Sequence, residues 1–404
     1  MRRVVITGAG TVNPLGQGVA ETFAAMAAGQ CGIGPLDFRD VERLIVQIGA
    51  MVKDWDAEAR FDRSQLAMYD RSTQFALEAA RQAVAQSGLD FAALPDLAAR
   101  AGVIMGTAGG GLTTSDDSYR AIYEERKARV HPFIVPKLMH NAAASHISMT
   151  YGVQGPVFTV STACASSNHA MGLAFQMVRS GAVPVMLTGG AESMMCFGGL
   201  KAWEGLRVMS RTGCRPFSAD RDGMVQGEGA GVVVMEDREH AIARGAPILA
   251  EVLGFAMTSD ASDIVMPSVD GAVRAMAGAL RDGGIAPERV GYINAHGTGT
   301  QANDRSEAAA IGQVFGATPP RVSSTKAMHG HLIGAAGAVE LMACLMALQD
   351  GIIAPTVNHT GPDPDCALDV VPNAAVLADL DVVMTNSFAF GGLNAVLALG
   401  RDAG

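Results

Sequence analysis

Short runs of β-branched and aliphatic residues alternate along this chain with longer stretches of helical periodicity. Residues 3–7, 102–105, 157–160, 185–188, 231–235, 292–294 and 382–385 read as strands. Most are nearly continuous apolar runs rather than alternating ones, the pattern of strands covered on both faces. Residues 70–86 read as a helix, with Asp70 as its N-cap and Gly88 just past its end. Residues 334–349, dense in Ala, Leu and Met, read as another. Strands and helices taking turns predict an α/β fold. Pro and Gly are spread throughout, and no low-complexity linker interrupts the chain. The most charged interruption, residues 236–252, is the expected junction between a first half, 1–250, and a second, 251–404.

Composition sharpens this picture. The 404 residues are 49% apolar and only 17% charged, where a typical soluble domain carries about 25% charge. That excludes a disordered chain and a coiled coil, and implies a large core or a surface hidden by a partner. Glycine, at 48 residues, is well above its usual share of about 7%, so backbone must approach backbone or ligand closely. A net charge of −10 argues against non-specific nucleic-acid binding, while leaving room for a local basic patch facing an acidic partner. The six cysteines form no Cys-x-x-Cys pair, so no metal site is expected. The N-terminal apolar run is too short for a signal peptide, and no uninterrupted apolar run reaches about 18 residues. The expectation is a cytoplasmic protein with reduced thiols and no membrane association.

Gly8-Ala-Gly10 after the first strand invites a dinucleotide-binding reading. The third small residue of that fingerprint is missing, because Asn13 and Pro14 follow. The glycines therefore read as a structural turn from strand to loop. Cys164 is a stronger candidate. No charged residue occurs from Val157 to Val178, which predicts a strand, a sharp turn and a buried helix with a thiol at its N-terminus. The partial positive charge and free N–H groups there favour thiolate and predict a nucleophile near neutral pH. A buried core cysteine is the commoner fate of a lone Cys. Two histidines change the balance: His296, in a Gly- and Thr-rich segment just after residues 292–294, and His331, in a Gly-rich turn before the apolar helix. Catalytic groups converging at strand ends are the expected geometry of an α/β site. Glu340 lies in the most apolar helix and needs a partner; Lys326, one of only five lysines, is the candidate. The twin glycines after Phe390 suggest a movable turn, whose N–H groups with that of Cys164 would make an oxyanion hole.

Four motifs together resemble a known family. They are Thr162-Ala-Cys164-Ala-Ser with His169; Asn294-Ala-His296-Gly-Thr298-Gly-Thr300; Lys326 with Gly330-His331-Leu-Ile-Gly-Ala-Ala-Gly-Ala-Val-Glu340; and Asn386-Ser-Phe-Ala-Phe390-Gly-Gly392. In this order they are similar to the elongating β-ketoacyl-[acyl-carrier-protein] synthases, over a span from Val4 to about Leu399. The resemblance implies the thiolase fold, a five-layered α-β-α-β-α sandwich of two similar βαβαβαββ halves, the first bearing cap insertions. It implies a decarboxylative condensation that lengthens an acyl chain by two carbons. Cys164 would accept the acyl group. His296 and His331 would promote malonyl decarboxylation and stabilise the enolate, with Lys326 and Glu340 as the supporting charged pair. Asp304 and Glu307 match the acidic residues after the first histidine motif. Phe390 would gate the site, Phe197 would line the acyl pocket, and Thr298 and Thr300 offer hydroxyls to the substrate. No cofactor of its own is implied, because the acyl and malonyl groups arrive on the phosphopantetheine arm of an acyl carrier protein. The expected assembly is a homodimer, with a heterodimer with a related ketosynthase as the other form.

Within the family, His329, Asp263-Ile-Val-Met-Pro267 and Arg215-Pro-Phe-Ser-Ala-Asp220 look like the nodulation-type subgroup. Val265 and Met266 stand where many members carry Thr-Ser beside the arm, and Leu393 replaces a usual Thr. These departures bear on arm contacts and chain selectivity, not on the chemistry. Arg126-Lys127-Ala-Arg129, Lys201 and Arg207 are candidates for receiving the acidic carrier. A degradative thiolase would need a second cysteine in Cys-x-Gly, whereas Cys366 is followed by Ala-Leu. The remaining alternative is a non-catalytic, chain-length-setting partner of another ketosynthase; such partners lack the cysteine.

Overall fold

All seven expected strands are present, most of them longer than expected, and three more join them. The computed structural model describes residues 1–316 and 319–404. Ten strands form one mixed sheet: β1 Val4–Val12, β2 Gly102–Gly106, β3 Val157–Val160, β4 Val185–Glu192, β5 Gly229–Asp237, β6 Ala250–Ser259, β7 Val290–Asn294, β8 Arg321–Ser323, β9 Val382–Ala389 and β10 Leu393–Gly400. Their order across the sheet is β8-β7-β9-β10-β6-β1-β5-β4-β2-β3. In β3-β2-β4-β5-β1, the first two neighbouring pairs are parallel and the next two antiparallel. The sequence β8-β7-β9-β10-β6 repeats the same pattern. The two halves meet where Val4, Val5 and Ile6 pair antiparallel with Val252, Glu251 and Ala250. Such a repeat is what two copies of one βαβαβαββ unit related by a two-fold axis produce.

The helices complete the layers. Those that build or border the layers and the site are α1 Arg71–Ser87, α2 Leu112–Tyr123, α3 Ala142–Tyr151, α4 Ser166–Ser180, α5 Phe197–Gly205, α6 Val269–Gly283, α7 Gln301–Phe315 and α8 Ala336–Asp350. Helices α1 and α3 cover the outer face of the first half, and α6 and α7 cover that of the second. Helices α4 and α8 lie between the halves and pack on strands of both. The result is α-β-α-β-α, the thiolase fold expected from the motifs. The middle layer explains the low charge. Every residue of α8 from Ala336 to Leu348 is buried, although the stretch Ile333–Asp350 is long and apolar enough to cross a membrane.

Helix α1 is capped as expected: the Asp70 carboxylate accepts from the Ser72 N–H, and Gly88 takes a positive φ at the other end. The Gly8-Ala-Gly10 reading needs correction. The strand does not turn into a loop there; β1 continues to Val12. A Cβ on Gly8 would lie 2.0 Å from the Ala83 carbonyl oxygen, and one on Gly10 2.0 Å from that of Ala79. The glycines let the backbone of α1 settle onto the strand, a close approach and not a turn. The charged interruption 236–252 is also more structured than a linker. Asp237 caps a short helix, Arg238–Ala243, and β6 starts at Ala250.

Candidate active site

The strands of each half that run parallel end at the same place, and the segments following them carry the candidate residues. After β3 the chain turns through Ala163, which adopts φ +48°, the left-handed region that disfavours a side chain. A single 3-10 turn, Ala163–Ala165, then leads into α4. This places Cys164 at the head of a buried helix. The second half repeats the device: Ile333 adopts φ +47°, and the 3-10 turn Ile333–Ala335 leads into α8. His331 sits just before that turn. Its backbone is clamped by N–H to the Val225 carbonyl at 2.7 Å and by carbonyl from the Gly227 N–H at 2.9 Å. His296 follows β7, where the Glu307 carboxylate accepts from the His296 and Gly297 N–H groups, both at 2.8 Å. Asp304 likewise accepts from the Gly299 and Phe217 N–H groups. The two acidic residues thus hold the loop that carries His296.

The Cys164 sulfur and one nitrogen from each of His296 and His331 lie within 4.8 Å of one another. The two imidazoles meet edge to face with centroids 5.4 Å apart, and Phe388 packs against the edge of His296 at 6.1 Å. Geometry alone would also let the three donors share a soft divalent ion. They line a cavity of about 160 Å³ together with Trp203, Val208, Met224, Val265, Met266, Thr298, Thr300, Phe390 and Asn394. Thr298 and Thr300 are hydrogen bonded to each other at 2.9 Å, and the Thr300 side chain also caps α7. Phe390 stacks on Trp203 with centroids 5.9 Å apart.

The electrostatics run against one expectation. Burial pushes the Cys164 thiol up to about 12. The Lys326 charge and the N–H groups of Phe390 and of Cys164 itself pull the other way. Burial wins, so the helix terminus does not leave a resting thiolate. The same two N–H groups face the sulfur, beside the place that the oxygen of an acyl group carried on it would occupy. Lys326 and Glu340 are hydrogen bonded to each other and fully buried. Burial, with help from the Lys326 charge, drives both His296 and His331 well below the usual imidazole range. Both rings are therefore neutral at physiological pH. The His331 Nδ1 accepts from the Ile333 N–H at 3.2 Å, so its proton is on Nε2. That nitrogen, and Nδ1 of His296, have no hydrogen-bond partner among the described residues.

Not every candidate joins the cavity. Phe197 does not line it. It starts α5, lies under the Arg43 guanidinium at 4.4 Å, and faces a second cavity with Asp116, Arg120 and Met195. It packs in the same apolar cluster as Cys164, Leu112, Met194 and Ile333. His329 bonds to Thr325 and to the Gly330 carbonyl, away from the cavity. Lys201 and Arg207 are exposed and flank Trp203 and Val208 at its rim; Lys201 pairs with Glu204 at 2.8 Å. The run at 126–129 follows α2, and none of its residues lines the cavity. Sequence reasoning passed over Glu192, a fully buried carboxylate at the end of β4. The signal that marked Glu340, an acid in an apolar element, was present there too.

A buried thiol beside two neutral imidazoles, at the junction of two thiolase-like halves, defines a condensing enzyme. The chain belongs to the β-ketoacyl synthase family: the N-terminal domain of that family matches residues 1–241 and its C-terminal domain residues 249–360. It is 46% identical over 399 residues to Nodulation protein E of Rhizobium sp. (strain N33), covering 98% of each chain. It is 41% identical over 410 residues to 3-oxoacyl-[acyl-carrier-protein] synthase 2 of Coxiella burnetii, covering 99% of each. Among solved structures, the ishigamide ketosynthase/chain length factor superposes with a TM-score of 0.95 at 38% identity, covering all of both chains.

Proposed function

We propose that the cavity residues carry out the decarboxylative condensation of a β-ketoacyl synthase as follows. Cys164 attacks an acyl thioester presented on a phosphopantetheine arm and becomes acylated, and the carrier thiol leaves. Because the resting group is a thiol, its proton must move as the sulfur attacks; His296, whose Nδ1 has no hydrogen-bond partner among the described residues, takes it and passes it to the departing carrier sulfur, which leaves as the thiol. The N–H groups of Cys164 and Phe390 hold the oxyanion of the tetrahedral intermediate. A malonyl thioester then enters, its carboxylate leaves as carbon dioxide, and the electron pair of that bond becomes an enolate. Nε2–H of His331 and the ring of His296 hydrogen-bond the enolate oxygen. The enolate carbon attacks the acyl carbonyl, the new carbon–carbon bond forms, and the Cys164 sulfur departs as a thiolate that takes up one proton from solvent to restore the thiol. Neutral imidazoles suit this step because decarboxylation needs donors and no proton is removed from carbon. Lys326, paired with Glu340, supplies a buried positive charge that favours both thiolate and enolate.

The observation that carries this reading is the gathering of Cys164, His296 and His331 within 4.8 Å. It is tested by separating the half-reactions: His331→Ala should lose carbon dioxide release from a malonyl carrier while keeping acylation of Cys164. The partner proposed is an acyl carrier protein, as the name of the Coxiella relative says of that enzyme, docking at Lys201 and Arg207 beside the rim. Exposed apolar residues on and around α2 and α3, among them Tyr119, Tyr123, Val135, Met149 and Phe158 on edge strand β3, form a face suited to a second copy or a related ketosynthase. Residues 1–250 and 251–404 are proposed as the two halves, and the cytoplasm as the site of action.

A further inference from the structure

Glu192 is fully buried, is not needed in the condensation scheme, and does not line the cavity. A carboxylate in such a place is costly unless it is well bonded. Four donors meet it. The Ala108 N–H at 2.7 Å and the Gly334 N–H at 3.1 Å reach Oε2. The Gly109 N–H at 3.1 Å and the Thr107 hydroxyl at 3.0 Å reach Oε1. Burial pushes the carboxyl up to about 7, against the pull of these donors. Its partners come from both halves of the fold. Thr107, Ala108 and Gly109 follow β2, and Gly334 belongs to the turn after His331. Gly334 also occupies, in the second half, the position that Cys164 occupies in the first. A Cβ there would lie 2.5 Å from the Ala108 nitrogen and 2.6 Å from Glu192 Oε2, so the carboxylate fits against bare backbone.

We propose that Glu192 is a positioning residue for His331, a role that rests on the function proposed for that histidine. The chain of contacts is short. Glu192 holds the Gly334 N–H; the preceding residue, Ile333, has the strained φ of +47°; and the Ile333 N–H donates to His331 Nδ1. A β-branched residue keeps such a conformation only where its surroundings hold it. Without the carboxylate, the turn relaxes, the Ile333 N–H swings away, and His331 is no longer confined to the tautomer that presents Nε2–H. The other side of the junction is the wall beside the thiol: Ala108 and Leu112 pack with Cys164 and Ile333. One carboxylate therefore holds the donor for the second half-reaction in register with the wall of the first.

The test uses the full-length protein carrying Glu192→Gln, with His331→Ala in parallel. Three readouts are needed: the rate of Cys164 acylation by intact mass, carbon dioxide release from a malonyl carrier, and the imidazole ¹⁵N–¹H correlations of ¹⁵N-histidine-labelled protein. Glu192→Gln is expected to slow carbon dioxide release about 10- to 100-fold, the cost of a sub-ångström to ångström misplacement, to leave acylation close to wild type, and to replace the single-tautomer pattern of His331 by a mixture. Equal slowing of both half-reactions, no slowing of either, or an unchanged His331 tautomer overturns the proposal. If Glu192→Gln fails to fold by circular dichroism and gel filtration, Thr107→Val, which removes one of the four donors, carries the same test. It predicts a smaller slowing confined to the same step, and no such split overturns the proposal. If His331→Ala releases carbon dioxide at the wild-type rate, the function proposed for His331 fails, while the tautomer readout still decides the role of Glu192.

Discussion

The Ile333 N–H donates to His331 Nδ1 across 3.2 Å, and this one bond decides what the imidazole can offer to the cavity. With Nδ1 occupied as an acceptor, the proton sits on Nε2 and faces the cavity. The ring is a donor and not a base. Replacing His331 by Ala is expected to cut carbon dioxide release about 100- to 1000-fold, the usual cost of one oxyanion donor, and to spare acylation. Separate assays of the two half-reactions check this.

The buried histidines give a pH dependence whose sign is fixed. His331 is held well below its usual range, so below about pH 6.5 the unfolded chain binds a proton that the folded one refuses. Stability contributed by this site is whole above that pH and falls as pH drops, by up to about 1.4 kcal/mol per pH unit. The raised carboxyls of Glu192 and Glu307 work in the opposite direction over the same range. The difference between wild type and His331→Asn isolates the histidine. Urea titrations from pH 7 to 5 should show wild type losing ground to the variant; parallel curves would count against the assignment.

Removing one member of the Lys326–Glu340 pair should be severe. Glu340→Leu leaves an unpaired ammonium in the core and is expected to cost about 3–5 kcal/mol. Lys326→Met with Glu340→Leu should recover most of that stability but not the activity. Denaturant melts and condensation assays on the single and double variants separate the two contributions.

Gly10→Ala tests the corrected reading of the N-terminal glycines. A methyl group 2.0 Å from the Ala79 oxygen forces α1 off the sheet, at about 1–3 kcal/mol or more. The midpoint of urea unfolding should fall accordingly. Unchanged stability would mean that the helix does not rest on that strand.

Much of this architecture was legible in the residues. The apolar runs located seven strands, because strands covered on both faces carry no competing polar signal. Asp70 and Gly88 bounded α1 because capping is local chemistry. Strands Ala250–Ser259 and Leu393–Gly400 escaped, the first because it emerges from the charged stretch 236–252, the second because Asn394 interrupts it. The glycines of β1 misled because glycine marks a turn and a close approach equally well, and only the partner helix distinguishes them. The four motifs placed Cys164, His296, His331, Lys326 and Glu340 at neighbouring ends of the fold. They did not reveal the protonation state of the thiol, since burial is a property of the assembled core. Glu192 carried the same signal as Glu340, an acid in an apolar run, but what it bonds to was not legible, because its partners come from segments as far apart as Thr107 and Gly334.

The most direct test of the central claim is to locate the acyl group. After incubation with an acyl-loaded carrier protein and no malonyl substrate, peptide mass mapping should place one acyl adduct on Cys164. The Cys164→Ala protein should carry none. An adduct that persists in Cys164→Ala, or that maps to Cys31, Cys196 or another nucleophile in the wild-type chain, would contradict the mechanism.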